Sequence, residues 1–111
     1  ILGLADGGAF VWDGSAPPAL HAVPGGVEPV VPFLDPDGAV RVAGFRGDRF
    51  VFAAAGGDRV SRGTPINPAG VARRAARLSD GRFAVLDGGR TAGVRFVSPD
   101  GRPLERVPLP G

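Results

Sequence analysis

Short apolar segments alternate with turn residues along the whole chain. Gly, Pro and Asp interrupt the apolar runs at intervals of about ten residues, often two or three together. Gly accepts a positive φ and Pro fixes φ, so these interruptions reverse the chain between extended segments. The pattern predicts an all-β protein with strands at 1–5, 9–13, 19–23, 30–34, 39–45, 49–55, 71–79, 82–87, 93–98 and 103–109.

The predicted strand 49–55 is apolar on both of its faces. Phe50 and Phe52 lie on one side of an extended chain, while Val51 and Ala53 lie on the other. A strand with one face in water alternates apolar and polar residues, whereas a strand covered on both faces does not. We therefore expect another layer of structure against each face of this strand.

Three segments depart from the simple pattern. Pro32 cannot donate a backbone hydrogen bond, so strand 30–34 is expected at a sheet edge or in an irregular stretch. Residues 71–78 are rich in Ala and Arg, which favour helices, but the segment is short and a hairpin signature follows it. We favour a strand there and keep a helix as the alternative. Residues 61–70, which include two Pro, are predicted to form a long loop.

A weak internal repeat runs through the chain. Phe10, Phe50 and Phe83 each open an apolar strand just after a turn, and they are 40 and 33 residues apart. Four-stranded units repeating about every 40 residues are typical of β-propeller blades. A β-sandwich or barrel has strands at similar short spacing without the longer period, and it stays open as the alternative fold.

One stretch resembles a known repeat. Residues 68–72 read PAGVA, residues 80–87 read DGRFAVLD and residues 94–101 read VRFVSPDG. Together they resemble one NHL-type β-propeller repeat, in which a P-x-G-[VI]-A opening leads through a D-G hairpin to a P-D-G turn. The resemblance covers 68–101 and departs from the family at Gly93, where Arg is usual.

The resemblance implies antiparallel four-stranded sheets arranged as blades. On that basis residues 1–111 form a single all-β unit of about two and a half blades, whose ring is incomplete. An open arc of blades exposes sheet edges and apolar faces. The partners that it implies are further propeller blades or copies of the chain itself, together with a candidate protein partner.

Composition excludes several classes of site. The 111 residues suffice for a core, and the 43% hydrophobic content is ordinary. Nineteen Gly and twelve Pro separate apolar runs and do not form a low-complexity tract, which argues against disorder. Without Cys there is no disulfide or thiol chemistry, and no run is long enough for a membrane span. None of these features assigns a compartment.

The charge is divided unevenly between the two ends of the chain. Residues 1–40 contain five acidic residues and no Arg, whereas residues 41–111 contain thirteen Arg and six acidic residues. Arg73, Arg74 and Arg77 form the densest basic cluster, which suits an anion or a protein partner. Nucleic acid is not expected as a partner, because bases would need aromatic residues to stack on and Phe83, the one aromatic residue close in sequence, is better placed in the core.

Several other motifs have a simpler structural interpretation. His21, Asp13 and Ser15 are the residue types of a catalytic triad but lie in no nucleophile-elbow pattern. Residues 35–38 read DPDG, which resembles the start of a calcium loop but is also an ordinary turn. Residues 46–48 read RGD, a tripeptide bound by adhesion receptors, here within a predicted hairpin turn. No catalytic residue, metal ligand or cofactor is predicted from them.

Three functional hypotheses follow from the sequence. The first is a non-catalytic propeller-like scaffold or interaction module within a larger chain or assembly. The second is a fragment of a metal-dependent, lactonase-like hydrolase or lyase, in which Asp6, Asp58 or Asp87 would contribute to a metal in a central channel. The third is a small independent β-domain of an assembly.

Overall fold

The computed structural model describes residues 1–5, 8–12, 14–15 and 17–110, and this part of the chain is all-β. No helix occurs in it, and so none that would cross a membrane. The strands are β1 (Leu2–Ala5), β2 (Gly8–Val11), β3 (Ala19–Ala22), β4 (Glu28–Leu34), β5 (Val40–Arg46), β6 (Arg49–Ala54), β7 (Thr64–Pro65), β8 (Ala75–Arg77), β9 (Phe83–Asp87), β10 (Gly93–Val97) and β11 (Pro103–Pro108).

The strands form three separate antiparallel sheets. The N-terminal sheet has the order β1-β2-β3, the middle sheet β4-β5-β6-β7 and the C-terminal sheet β8-β9-β10-β11. Each strand pairs with its neighbour in sequence, so every sheet is a simple up-and-down meander. The predicted all-β class with four-stranded antiparallel sheets is confirmed, and none of the described sheets closes into a barrel.

The three sheets stack face to face in series. Their first strands lie side by side, since β1 contacts β4 and β4 contacts β8. Val42 and Ala53 of the middle sheet pack against Ala9 of the N-terminal sheet. On the opposite face, Phe50 packs against Phe83 of the C-terminal sheet. The expectation that the 49–55 strand is covered on both faces is therefore confirmed.

A cluster of phenylalanines joins the middle and C-terminal sheets. Phe83 is fully buried, and its ring centroid lies 5.3 Å from that of Phe33, 5.7 Å from that of Phe50 and 5.0 Å from that of Phe52. Tilted or edge-on aromatic pairs at this separation add about 0.5–1.5 kcal/mol each to the effect of burial. This cluster is the largest apolar contact between any two sheets of the described chain.

The structure refines the three segments that departed from the simple pattern. Strand β4 contains Pro32 and lies at the edge of its sheet, as predicted. The strand predicted at 71–79 is confirmed only for Ala75–Arg77, and the helical alternative is wrong. The predicted loop 61–70 contains the two-residue strand Thr64–Pro65, because Thr64 pairs with Phe50 and completes the middle sheet.

Candidate functional site

A groove runs along the line where the three first strands meet. It encloses about 790 Å³ and is open to solvent, and its walls come from all three sheets. Leu4 belongs to the N-terminal sheet, Glu28 and Val30 belong to the middle sheet, and Val94 belongs to the C-terminal sheet. Arg73 and Arg74, just before β8, add the positive charge. We call this feature the first-strand groove.

Arg73 connects the C-terminal sheet to the middle sheet. Its Nη1 donates a hydrogen bond of 2.7 Å to the Gly47 carbonyl oxygen in the β5–β6 turn. The guanidinium carbon lies 5.6 Å from the centroid of the Phe45 ring, within cation–π range. Its Nε lies 3.9 Å from a carboxylate oxygen of Glu28, a long and half-exposed ion pair. This side chain is therefore largely engaged by the protein itself.

Arg74 and Arg77 have different surroundings from Arg73. The Arg77 guanidinium lies 5.3 Å from the centroid of the Phe33 ring, which belongs to the phenylalanine cluster. Arg74 is exposed on the wall of the first-strand groove and makes no side-chain hydrogen bond or ion pair within the described ranges. The predicted contact with an anion or partner stays a prediction for all three residues. Arg74 is the one of the three whose side chain has no hydrogen bond, ion pair or aromatic contact among the described residues.

The carboxylate of Asp87 is fully engaged in the structure. One oxygen accepts a hydrogen bond of 2.7 Å from the Asn67 backbone N–H, and the other accepts one of 2.7 Å from Nε of Arg106. Asp58 is exposed, and Asp6 lies outside the described residues. Within the described ranges, no three His, Asp or Glu side chains are grouped closely enough to hold a metal ion.

The remaining motifs lie in ordinary turns. An oxygen of Asp35 accepts hydrogen bonds from the backbone N–H groups of Asp37 and Ala39, each at 2.9 Å, which is typical of an aspartate turn. In the RGD tripeptide at 46–48, Arg46 ends β5, and Gly47 and Asp48 form the β5–β6 turn on the surface. Of the triad residue types, Asp13 lies outside the described residues, so that grouping is not tested.

A second cleft was not predicted from the sequence. It encloses about 460 Å³, and Asp35, Arg41, Arg59 and Ser61 contribute to its lining. The Arg41 Nε is buried and has no hydrogen-bond partner among the described residues. Eighteen residues separate Arg41 from Arg59, and no sequence pattern links them. Their proximity depends on the pairing of β5 with β6, which the sequence indicates only in outline.

Two surface carboxyl groups are held in their charged form. The backbone N–H and the guanidinium of Arg82 donate hydrogen bonds to Asp80, which lower the pKa of that carboxyl. The Ser98 hydroxyl donates to Asp100, and with the nearby Arg102 it lowers the pKa of that carboxyl as well. Both groups lie in turns of the C-terminal sheet, where they fix the hairpins.

Comparison with known proteins provides no family assignment. No family model, no curated protein and no solved structure matches this chain.

Proposed function

We propose that this chain supplies three consecutive blades of an NHL-type β-propeller. One observation carries the proposal: three meandering sheets stack face to face with their first strands β1, β4 and β8 side by side. In a propeller the sheets are arranged radially around a central channel. The repeat resemblance at 68–101 supports the proposal, because that segment spans β8, β9 and β10 of one sheet.

The role that we propose is a non-catalytic scaffold or interaction module, completed by further blades or by copies of the chain. The first-strand groove would form part of the channel wall, with Arg74 available to an acidic group of a protein partner. An exposed arginine favours carboxylate or phosphate groups, which it binds through two parallel hydrogen bonds. The proposal that a protein partner binds in this groove rests on the exposed guanidinium of Arg74, which has no polar partner among the described residues.

The alternative proposal is a fragment of a metal-dependent, lactonase-like hydrolase or lyase. Among the candidate metal ligands of this enzyme, Asp87 would have to give up its hydrogen bonds with Arg106 and with the Asn67 N–H to bind a metal. Elemental analysis of the purified protein separates the alternatives. A stoichiometric divalent ion in the purified protein would favour the enzyme. If Asp87→Asn then abolished binding of that ion, a purely structural role for the Asp87 carboxylate would be contradicted.

The blade arrangement is tested by an engineered disulfide between two sheets. A Cβ built on Gly56, after β6, lies 3.8 Å from the Cβ of His21 on β3, which matches the usual spacing in a disulfide. The chain has no native Cys, so the double variant His21→Cys/Gly56→Cys contains a single thiol pair. We expect the pair to oxidise completely within one chain under mild conditions, despite the positive φ at Gly56.

The control for this experiment is His21→Cys combined with Gly25→Cys. Gly25 lies in an exposed turn where an added Cβ meets no atom within 4 Å, so no nearby thiol is expected. Mass spectrometry and free-thiol titration report both results. Failure of the His21–Gly56 pair to oxidise in folded protein would contradict the stacking of the N-terminal and middle sheets and, with it, the propeller proposal.

A further inference from the structure

The C-terminal sheet has an apolar outward face that the described chain covers only in part: the Arg82 guanidinium carbon lies 5.1 Å from the centroid of the Phe96 ring, and Ala84, Leu86 and Val94 also line the first-strand groove. Phe83 and Val85 of β9 face the middle sheet, so the alternate residues Ala84 and Leu86 face away from it. The register pairs Val94 with Leu86 and Phe96 with Ala84, which places these β10 residues on the outward face too. The residues on this face are Ala76, Ala84, Leu86, Val94, Phe96 and Val107.

The N-terminal sheet also has an apolar outward face. Leu4 and Ala9 pack towards the middle sheet, so Phe10 and Leu20, which are paired with each other, point the opposite way. A Cβ on Gly3 would lie 2.7 Å from the Phe10 ring, so the end of that ring lies against this glycine. Leu20 is 50% exposed, so this face presents apolar surface to solvent.

The two end segments carry opposite charge. Residues 1–27 contain two acidic residues and no basic one, whereas residues 68–111 contain eight Arg and four acidic residues. The segment between them, 28–67, has five residues of each sign and is neutral. Opposite net charge on the two end segments favours contact between unlike ends of two chains over contact between like ends.

The joint between the middle and C-terminal sheets provides a template for that contact. There, Phe50 and Phe52 on the third strand of one sheet meet Phe83 on the second strand of the next. Phe96 lies on the third strand of the C-terminal sheet, and Phe10 lies on the second strand of the N-terminal sheet. The two outward faces therefore carry phenylalanines at the strand positions that form the existing joint.

We propose that a second copy of this chain covers both end faces. The C-terminal sheet of each copy packs on the N-terminal sheet of the other, with Phe96 against Phe10, and two such joints close a ring. Propellers typically have about four to eight blades, and six is the only multiple of three in that range. The inference rests on the proposed blade arrangement and identifies the partner that completes it.

The mass in solution tests the inference first. Light scattering coupled to gel filtration should give twice the chain mass of 11.3 kDa at tens of micromolar protein. Leu20→Arg and Val94→Glu each place a charge in one proposed joint, and each should weaken dimerisation about 100-fold or more. Leu34→Arg is the matched control, because Leu34 is 42% exposed on the middle sheet and lies on neither end face, so it should leave the dimer intact.

Mixing the two variants tests the direction of the contact. Leu20→Arg retains an intact C-terminal face and Val94→Glu retains an intact N-terminal face, so together they rebuild one complete joint. We expect each variant alone at 11.3 kDa and the mixture at twice that mass. A dimer of Leu20→Arg alone, or a mixture that stays monomeric, would overturn the unlike-face contact, and open polymers of the unmodified chain would overturn the closed ring.

Failure of this inference is distinguishable from failure of the proposed function. If the unmodified chain is monomeric while the His21→Cys/Gly56→Cys pair still oxidises, the second copy is excluded and the blade arrangement stands. If that pair does not oxidise in folded protein, the blade arrangement fails, and the ring fails with it.

Discussion

Asp87 at the end of β9 is joined to Arg106 on β11 across the intervening strand β10. The Nε of Arg106 donates to a carboxylate oxygen of Asp87 at 2.7 Å, and Asp87 is only 8% exposed. The other oxygen accepts the N–H of Asn67, in the chain that leads from the middle sheet to the C-terminal sheet. The Asp87 carboxylate thus holds both the edge strand β11 and the segment that leads into the C-terminal sheet.

Removal of this carboxylate should destabilise the fold. Asp87→Ala leaves the partly buried Arg106 guanidinium and the Asn67 N–H without their partner, and we expect a loss of about 2–3 kcal/mol in the free energy of unfolding. Urea denaturation followed by circular dichroism measures it. The control is Glu105→Ala, which removes an exposed ion pair with Arg82 and should cost no more than about 0.5 kcal/mol. Equal losses in the two variants would contradict a structural role for Asp87.

Gly44 is required by the close approach of two strands. A Cβ at this position would collide with the Glu28 carbonyl oxygen and lie 3.0 Å from the Pro29 Cα, so β4 would have to move away from β5. We expect Gly44→Ala to cost more than about 2 kcal/mol. Gly25→Ala, where an added Cβ meets nothing within 4 Å, should stay within about 0.5 kcal/mol of the original chain. If Gly44→Ala melts at the original temperature, the β4–β5 register is wrong.

Arg73 and Arg74 should differ when each is changed to Ala. Arg73→Ala loses the hydrogen bond to Gly47 and the contact with the Phe45 ring, at a cost of about 1 kcal/mol. Arg74→Ala removes a side chain with no described polar partner and should leave stability within about 0.5 kcal/mol. Thermal denaturation of the two variants gives the comparison. A larger loss of stability in Arg74→Ala than in Arg73→Ala would contradict the contacts assigned to Arg73.

Acid should weaken the C-terminal sheet through Asp100. The pKa of this carboxyl is lowered in the folded chain, chiefly by the Ser98 hydroxyl, so its charged form favours folding. That contribution is fully present above pH 3.8, the ordinary value, and is lost as the pH falls through the lower folded value. We expect Asp100→Asn to be less sensitive to acid than the original chain when urea midpoints are compared on either side of pH 3.8. An unchanged acid response would contradict the lowered pKa.

The sequence predicts the strands well because Gly, Pro and Asp mark most of the reversals. It also predicts that strand 49–55 is covered on both faces, since Phe50 and Val51 are both apolar. It does not predict β7, because a two-residue strand has no periodicity of its own and Thr64 is placed by its pairing with Phe50.

The candidate site is less accessible to sequence reasoning than the strands. Arg73, Arg74 and Arg77 look alike as a basic cluster, but their environments differ because Gly47 and Phe33 are brought to two of them from the middle sheet. The partner of Asp87 is likewise nineteen residues away on a strand that is not its neighbour. Such contacts depend on the sheet order and on the stacking, which a single sequence does not specify.

The face-to-face stacking of the sheets is the central claim, and ring contacts between phenylalanines test it most directly. Nuclear Overhauser effects should connect the Phe83 ring with the Phe52 and Phe33 rings, whose centroids lie 5.0 and 5.3 Å away on another sheet. Phe45 and Phe50, paired within the middle sheet at 5.6 Å, provide the internal control. Effects from Phe83 to both rings are the predicted result. A spectrum with the Phe45–Phe50 effect but none from Phe83 would show that the sheets form without stacking, which would contradict the account.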